Sequence, residues 1–262
     1  MINQIILSSN EDYNYLEFWK PVSWAYKKMY PNVEVHLAFL TNKGEDHPLV
    51  KELRKYGKVT LFKPVAFISE FAQAKMIRFI LAAQQGNDVC YIDDIDLFPL
   101  RKEFIEDKVS KRPKDHLLCV GGEVYNNNGY YPVSQMTAEG YVWKNFINPE
   151  EKELYELMQD WSHKHKYDRR EDVTINLDFS KDDYFSDERL LRRLIEERPV
   201  KKFEMERGYK DFMESTIDRY KWKVDIEKLN NHGYLNAHCV RPYGMWAEEF
   251  IPLFEYIKKN YE

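Results

Sequence analysis

Four short apolar runs, separated by stretches of helical period, occupy the first 92 residues and set the fold class of the chain. The runs are QIILSS (4–9), VEVHLAFL (33–40), KVTLFKPV (58–65) and DVCYI (88–92), and the second is enriched in the β-branched and aromatic residues that strands favour. Between them, YLEFWKPVSWAYKKMY (15–30) predicts a helix blurred at its middle by Pro21. HPLVKELRKYG (47–57) predicts a short amphipathic helix closed by Gly57, and EFAQAKMIRFILAAQQ (70–85) a longer one capped by Ser69 and stopped by Gly86. This alternation predicts an α/β protein with a mostly parallel central sheet flanked by helices. In open sheets of that class, ligands gather beyond the carboxyl ends of the strands.

The second half is less regular. DHLLCVGGEVYNNNGYY (115–131) reads as a strand followed by a loop rich in Asn and Gly. PEEKELYELMQDWSHKH (149–165) and FSDERLLRRLIEE (185–197) read as helices, GYLNAHCVRPYG (233–244) as a late strand or loop, and WAEEFIPLFEYIKKNYE (246–262) as a terminal helix. No repeat, low-complexity tract or linker divides the sequence, so residues 1–262 are read as one domain. With 44% apolar and 32% charged residues, the chain can build a substantial core. A net charge of −5 without a basic stripe speaks against nucleic acid as a partner, and no apolar run reaches the length of a membrane span. Cys90, Cys119 and Cys239 are odd in number, widely spaced and form no CxxC pair. With no basic leader at the N-terminus, they point to free thiols in a cytoplasmic protein.

The fourth apolar run delivers Asp93, Asp94 and Asp96 at its carboxyl end, and burying a lone carboxylate is very costly. Two carboxylates one residue apart at a strand end can hold Mn²⁺ or Mg²⁺, with phosphate oxygens completing the coordination. A solvated turn, or capping of the following segment, fits the spacing alone as well. A haloacid-dehalogenase-type phosphatase fits poorly: its aspartates lie on the first strand, and Phe98 stands where it has Thr or Val.

Three segments in order carry a resemblance to the GT-A glycosyltransferases, particularly the glycogenin-like and bacterial galactosyltransferase branch. SSNEDY is similar to the family's first strand and base-binding loop, AKMIRFILA with VCYIDDID to its Arg-bearing helix and YLDxD element, and HCVRPYGMW to its late metal-binding His segment. The resemblance implies a Rossmann-like GT-A fold, with residues 1–100 forming the nucleotide-sugar half and 101–262 the acceptor half. It implies that Ser8, Ser9 and Asn10 face the base, that Asp94 faces the ribose and the cation, and that Asp94, Asp96 and His238 ligate the metal. Arg241 would neutralise the diphosphate, and Arg78, with Lys75 as a weaker candidate, would contact the donor. Asp93 is one residue more than the family pattern has; it is grouped with the donor contacts, and whether it takes part directly or stands behind the residues that do is left open. Asp187 and Glu188 sit at a helix start, where capping is the default reading; the competing one is that they are similar to an acidic pair near the acceptor, in which one carboxylate takes the acceptor's proton or touches the donor sugar. Tyr125, Tyr130, Tyr131, Trp143 and Trp222 could stack on the acceptor or belong to the core, and His163 and His165 read as helix-end surface residues.

The implied activity is metal-dependent transfer of a sugar from a UDP- or GDP-sugar to a hydroxyl of a glycan or glycosylated acceptor. A metal-dependent phosphohydrolase or nucleotidyltransferase, and a non-catalytic nucleotide-sugar-binding module, are the alternatives.

Overall fold

The four apolar runs form β1 (Gln4–Ser9), β2 (Glu34–Leu40), β3 (Lys58–Phe62) and β4 (Val89–Ile92), all parallel, in the spatial order β3-β2-β1-β4. The computed structural model describes residues 1–121, 131–162, 165–170, 173–177, 185–205 and 214–262. A short strand β5 (Leu97–Pro99) follows the aspartates, and β6 (Leu117–Val120), β7 (Met136–Glu139) and β10 (Lys202–Met205) extend the main sheet to seven strands. Only β7 runs against its neighbours in that sheet. The main sheet therefore takes strands from both halves of the chain.

Period-two alternation sorts the side chains of each strand between two cores. Ile6, Ala38, Leu40, Cys90 and Ile92 face one core, shared with α4 (Glu70–Ala83), α6 (Gly140–Ile147), α7 (Leu154–Ser162) and α8 (Ser186–Glu197). Ile5, Leu7, Leu37, Phe39 and Tyr91 face the other. It is closed by α2 (Trp19–Met29), α3 (Pro48–Leu53), α5 (Lys102–Lys111) and the terminal helix Ile251–Tyr261. Each fully buried apolar side chain contributes about 1.5–3 kcal/mol, so both faces of the sheet need their helices.

A second sheet sets the site. In it β12 (Asn236–His238) pairs antiparallel with β5 and parallel with β11 (Thr216–Ile217), which puts His238 opposite Leu97. A hairpin of β8 (His165–Arg170) and β9 (Val173–Leu177) stands apart as a third sheet.

Several elements depart from the sequence expectation. The helix over 15–30 is split into α1 (Tyr13–Leu16) and α2, so Pro21 lies in the first turn of α2, where a missing N–H removes no helical bond. Gly57 does not close α3, which ends at Leu53. A Cβ at Gly57 would stand 2.6 Å from both the Trp19 ring and the Val35 carbonyl oxygen, so the position requires glycine for close approach. The helix expected from 149 starts only at Leu154, because the Asn148 side chain closes a loop on the Lys152 backbone (2.8 and 2.9 Å), and His165 opens β8. The terminal helix is preceded by a short helix Tyr243–Trp246 and a 3₁₀ turn Ala247–Phe250, and restarts with Pro252 in its first turn. Among the described residues, no helix is long and apolar enough to cross a membrane. Cys90, Cys119 and Cys239 are buried and form no disulfide.

The start of α6 sits directly on the end of α4. The Gly140 N–H donates to the Asp88 carbonyl (2.9 Å), and a Cβ there would stand 2.7 Å from Gly86 N and 2.9 Å from Ala82 O. Those are backbone atoms, which cannot yield as a side chain does. Gly140→Ala is therefore expected to cost about 1–3 kcal/mol in a denaturant titration, as overpacking does. Gly44→Ala, which meets nothing within 4 Å, is expected to leave the midpoint in place. Equal midpoints for the two variants would refute this account of the α4–α6 junction.

Candidate active site

A cleft of ≈ 240 Å³ opens at the carboxyl ends of β1 and β4. The end of β1 contributes Ser8, Ser9 and Asn10, α4 contributes Lys75 and Arg78, and the turn after β4 contributes Asp94 and Asp96. The start of α8 adds Asp187 and Glu188, β12 adds His238, and a 3₁₀ turn after β11 adds Arg219. Of the donor-side, metal and acidic-pair residues expected from sequence, Asp93 and Arg241 are not among those that line it.

Arg78 is the centre of one ion group. It is 3% exposed, so its charge must be matched locally. Nη1 donates to Asp94 Oδ1 (2.6 Å) and to the Asp93 carbonyl (3.1 Å), and Nη2 donates to Asp187 Oδ2 (2.6 Å). Lys75 Nζ lies 3.3 Å from Asp187 Oδ1 and 4.7 Å from the centre of the Phe71 ring. Burial works to raise the Asp94 carboxyl, but Arg78 beside it prevails and holds it below the usual carboxylate range. Both Asp187 oxygens thus serve cations, so helix capping is not what holds this residue.

Asp93 faces the other way and does not line the cleft. Its amide continues the ladder to the Ile6 carbonyl (3.1 Å), so the alternation of β4 persists through it. Cys90 and Ile92 point to the α4 core, whereas Tyr91 and Asp93 point to the α2 core. There Tyr26 donates to Asp93 Oδ2 (2.6 Å), Tyr91 approaches the same oxygen (3.3 Å), and Asp93 Oδ1 accepts the Asp94 N–H (3.0 Å). Asp93 pins α2 to the sheet and shapes the turn that presents Asp94.

Asp94, Asp96 and His238, the residues expected to ligate Mn²⁺ or Mg²⁺, all line the cleft. Among the described residues, no group of three or more His, Cys, Asp or Glu side chains could hold a metal ion. Asp94 is engaged by Arg78, and Arg219 is wedged between the other two. Arg219 Nη1 donates to Asp96 Oδ2 (3.1 Å) and Nη2 donates to His238 Nδ1 (3.1 Å). A guanidinium can only donate, so Nδ1 accepts and the ring proton sits on Nε2, 3.7 Å from Asp96 Oδ2. Burial lowers the His238 pKa, with Asp96 opposing and Arg219 adding to the shift, so the ring is neutral at neutral pH. Arg241 stands behind, its Nε 3.9 Å from Asp96 Oδ2 and its guanidinium 4.5 Å from the centre of the Tyr15 ring.

Glu188 has a different environment from its neighbour. Its Oε2 is buried and has no hydrogen-bond partner among the described residues. Burial first, then the charges of Asp187 and Asp94, push its carboxyl up to about 9 against the pull of Lys75 and Arg78. The surroundings of Glu188 thus favour its neutral form.

The aromatic residues near the cleft are Tyr15, Phe71 and Phe185, which the sequence did not single out. Trp143 is fully buried and stacks on Phe79, Tyr131 is buried and donates to Glu204, and Trp222 packs on Phe250. Trp143 and Tyr131 are core residues, and Trp222 is partly buried against the core. Tyr125, Tyr130 and His163 lie outside the described residues. Arg219 was missed as well, because no local motif marks it in STIDRYKW; its place follows from the pairing of β11 with β12.

No family model and no curated protein matches the chain. Among solved structures, the apo-form of the glycosyltransferase GlyE of Streptococcus pneumoniae TIGR4 is similar over 100% of this chain and 64% of its own, at 11% identity and a TM-score of 0.50. A further GlyE structure gives 12% identity, 99% and 64% coverage and a TM-score of 0.51. The galactosyltransferase LgtC, solved in complex with donor and acceptor sugar analogs, is similar over 98% of this chain and 95% of its own, at 11% identity and a TM-score of 0.51. The chain thus spans 64% of the GlyE chains but nearly all of LgtC. At such identities the likeness is one of fold, and the chain has the GT-A fold that these glycosyltransferases share.

Proposed function

We propose that this protein is a glycosyltransferase that moves a sugar from a nucleoside-diphosphate sugar to a hydroxyl acceptor. The observation that carries the reading is a convergence. Ser8–Asn10, an arginine-rich wall and a neutral Glu188 meet in one cleft at the carboxyl ends of β1 and β4, in a fold shared with LgtC, which was solved with donor and acceptor sugar analogs.

In this reading the donor's base lies against Ser8, Ser9 and Asn10, and its diphosphate points toward Arg219. Negative charge develops on the departing diphosphate, and fixed positive charge placed there in advance lowers the barrier. Asp187 acts through Arg78: it fixes the guanidinium that orients Asp94 toward the cleft. Glu188 is the group that touches sugar. A neutral carboxyl donates one hydrogen bond and accepts another, which suits a pair of sugar hydroxyls, and at neutral pH it has no charge with which to act as a base. The acceptor enters past Tyr15, Phe71 and Phe185, whose ring faces pack against apolar sugar faces.

Incubation of the protein with a panel of UDP- and GDP-sugars, without acceptor and followed by mass, tests the reaction class. Slow release of nucleoside diphosphate together with free sugar is expected. Release of nucleoside monophosphate would instead indicate the phosphohydrolase or nucleotidyltransferase, and donor binding without any turnover would indicate a binding module.

The state of Glu188 has its own test. Its carboxyl is raised in the folded protein from an ordinary 4.5 to about 9, so the folded state holds a proton that the unfolded chain releases. The stabilisation this gives is complete below about pH 4.5 and is lost as pH rises toward 9. Thermal melts of wild type and Glu188→Gln should therefore agree at the acid end of that range and diverge as pH rises, wild type falling below the variant, because the amide keeps its hydrogen-bonding capacity but cannot titrate. Parallel melting curves would mean that Glu188 is ionised throughout.

A further inference from the structure

Two helices of a single turn stand beside the cleft, and one carboxylate joins them. α1 follows the strand end that carries Ser8, Ser9 and Asn10 into the cleft, and the turn Tyr243–Trp246 follows the strand that carries His238 there. We propose that Glu17 is a positioning residue for the donor's base: it clamps the Tyr243–Trp246 turn onto α1 and so holds Ser8–Asn10 in place against the nucleotide. The inference rests on the reading of the cleft as a nucleotide-sugar site and concerns how its base-binding side is kept in position.

A helix of one turn does not hold itself, because its few internal hydrogen bonds do not offset the cost of ordering its backbone. α1 is capped at its start by Asp12, but Tyr243–Trp246 has no side-chain cap of its own. Pro242 stands at the capping position, so the first amides of that turn need an acceptor from elsewhere. Glu17, the residue that closes α1, supplies it. One carboxylate oxygen accepts the Tyr243 N–H and the other accepts the Gly244 N–H (2.9 Å), across 226 and 227 residues of sequence. Hydrogen bonds to a carboxylate are stronger than those between neutral groups, and two oxygens matched to two successive amides also fix direction.

From Glu17 a chain of short contacts leads back to the base-binding residues. At the other end of α1, Asp12 Oδ1 accepts the Asn14 N–H (3.0 Å), and the Asp12 N–H donates in turn to Asn10 Oδ1 (3.1 Å). The Ser9 hydroxyl donates to the Asn10 carbonyl (3.0 Å). The clamped segment is itself anchored: the Cys239 N–H donates to the Asp96 carbonyl (2.8 Å), and Tyr243 meets the Phe18 ring edge to face at 5.8 Å. Arg241, between those anchors, lays its guanidinium over Tyr15 of α1. Glu17 is half-buried and Gly244 exposed, so the clamp lies outside both hydrophobic cores. Its loss loosens α1 and the residues before it while the cores stay packed.

Glu17→Gln tests this with the shape of the side chain kept. A carboxamide accepts at one atom and donates at the other, so it serves one of the two amides and turns a donor toward the second. Calorimetric titration of the full chain with UDP and GDP, in Mn²⁺ and in EDTA, is expected to give a Kd weaker by about threefold to tenfold for Glu17→Gln, with the far-ultraviolet circular dichroism unchanged. In an Asn10→Ala background, where the tie to Asp12 is cut, the same substitution is expected to change the Kd by less than about twofold. A full effect in that background, or no effect in the wild-type one, would overturn the inference and leave the glycosyltransferase reading standing. Absence of nucleoside diphosphate binding by the wild-type chain in both buffers would overturn that reading, and the inference with it. Hydrogen exchange of the wild-type chain needs no variant and decides even where Glu17→Gln does not fold. The Tyr243 and Gly244 amides, which the turn itself leaves unbonded, are expected to be protected, and rapid exchange there refutes the clamp.

Discussion

The Arg78 guanidinium, buried between Asp94 and Asp187, is the interaction on which the geometry of the cleft depends. It joins α4 to the turn after β4 and to the start of α8, an element 109 residues away in sequence. Placing three charges where Arg78 is 3% and Asp187 2% exposed carries a desolvation cost that only close, well-aligned pairing offsets. Removing one member of such a group leaves a buried charge without its partner and typically costs about 3–5 kcal/mol. The same tie holds α8 in position, and so sets where Glu188 stands. The preference of Glu188 for its neutral form follows, because the two carboxylates Arg78 assembles are the charges that, with burial, keep the Glu188 proton in place.

The three aspartates after β4 meet three different fates for reasons of parity and pairing. Asp93 continues the alternation of the strand and falls on the face closed by α2, where Tyr26 and Tyr91 receive it. Asp94, one residue on, falls on the face of α4 and meets Arg78. Asp96 lies at the head of β5 and is drawn into the second sheet, where Arg219 and His238 surround it. A motif of like charges is thereby divided among a structural anchor, an orienting pair and a cation-lined wall. Charge repulsion within the cluster is relieved because each carboxylate has its own partner.

Glycine and proline show how local signals can be right about a position and wrong about its reason. Gly86 does end the α4 region with a positive φ of 61°, as a helix stop should. Gly57 is a punctuation mark of another kind: its missing side chain makes room for Trp19, a partner that no local rule identifies. Pro21 marks the first turn of a second helix and not a flaw in one long helix. In each case the local chemistry is the same, and the tertiary neighbour decides what it is for.

The sequence by itself determined the parallel strands β1 to β4, the long helix α4 with its Ser69 cap, and the delivery of carboxylates to the carboxyl edge of the sheet. These rest on periodicity and on short-range chemistry, which a chain carries wherever it folds. It also contained, in the alternation of CYIDD, the opposite facing of Asp93 and Asp94. Only the tertiary structure decided the antiparallel insertion of β7, the placing of α6 on the end of α4, and the joining of β11, β12 and β5 into a second sheet. That sheet brings Arg219 to Asp96 across 123 residues and so fixes the electrostatic character of the site. The physical reason is that charge pairing between distant segments depends on which strands become neighbours, and a residue's own surroundings in sequence carry no record of that choice.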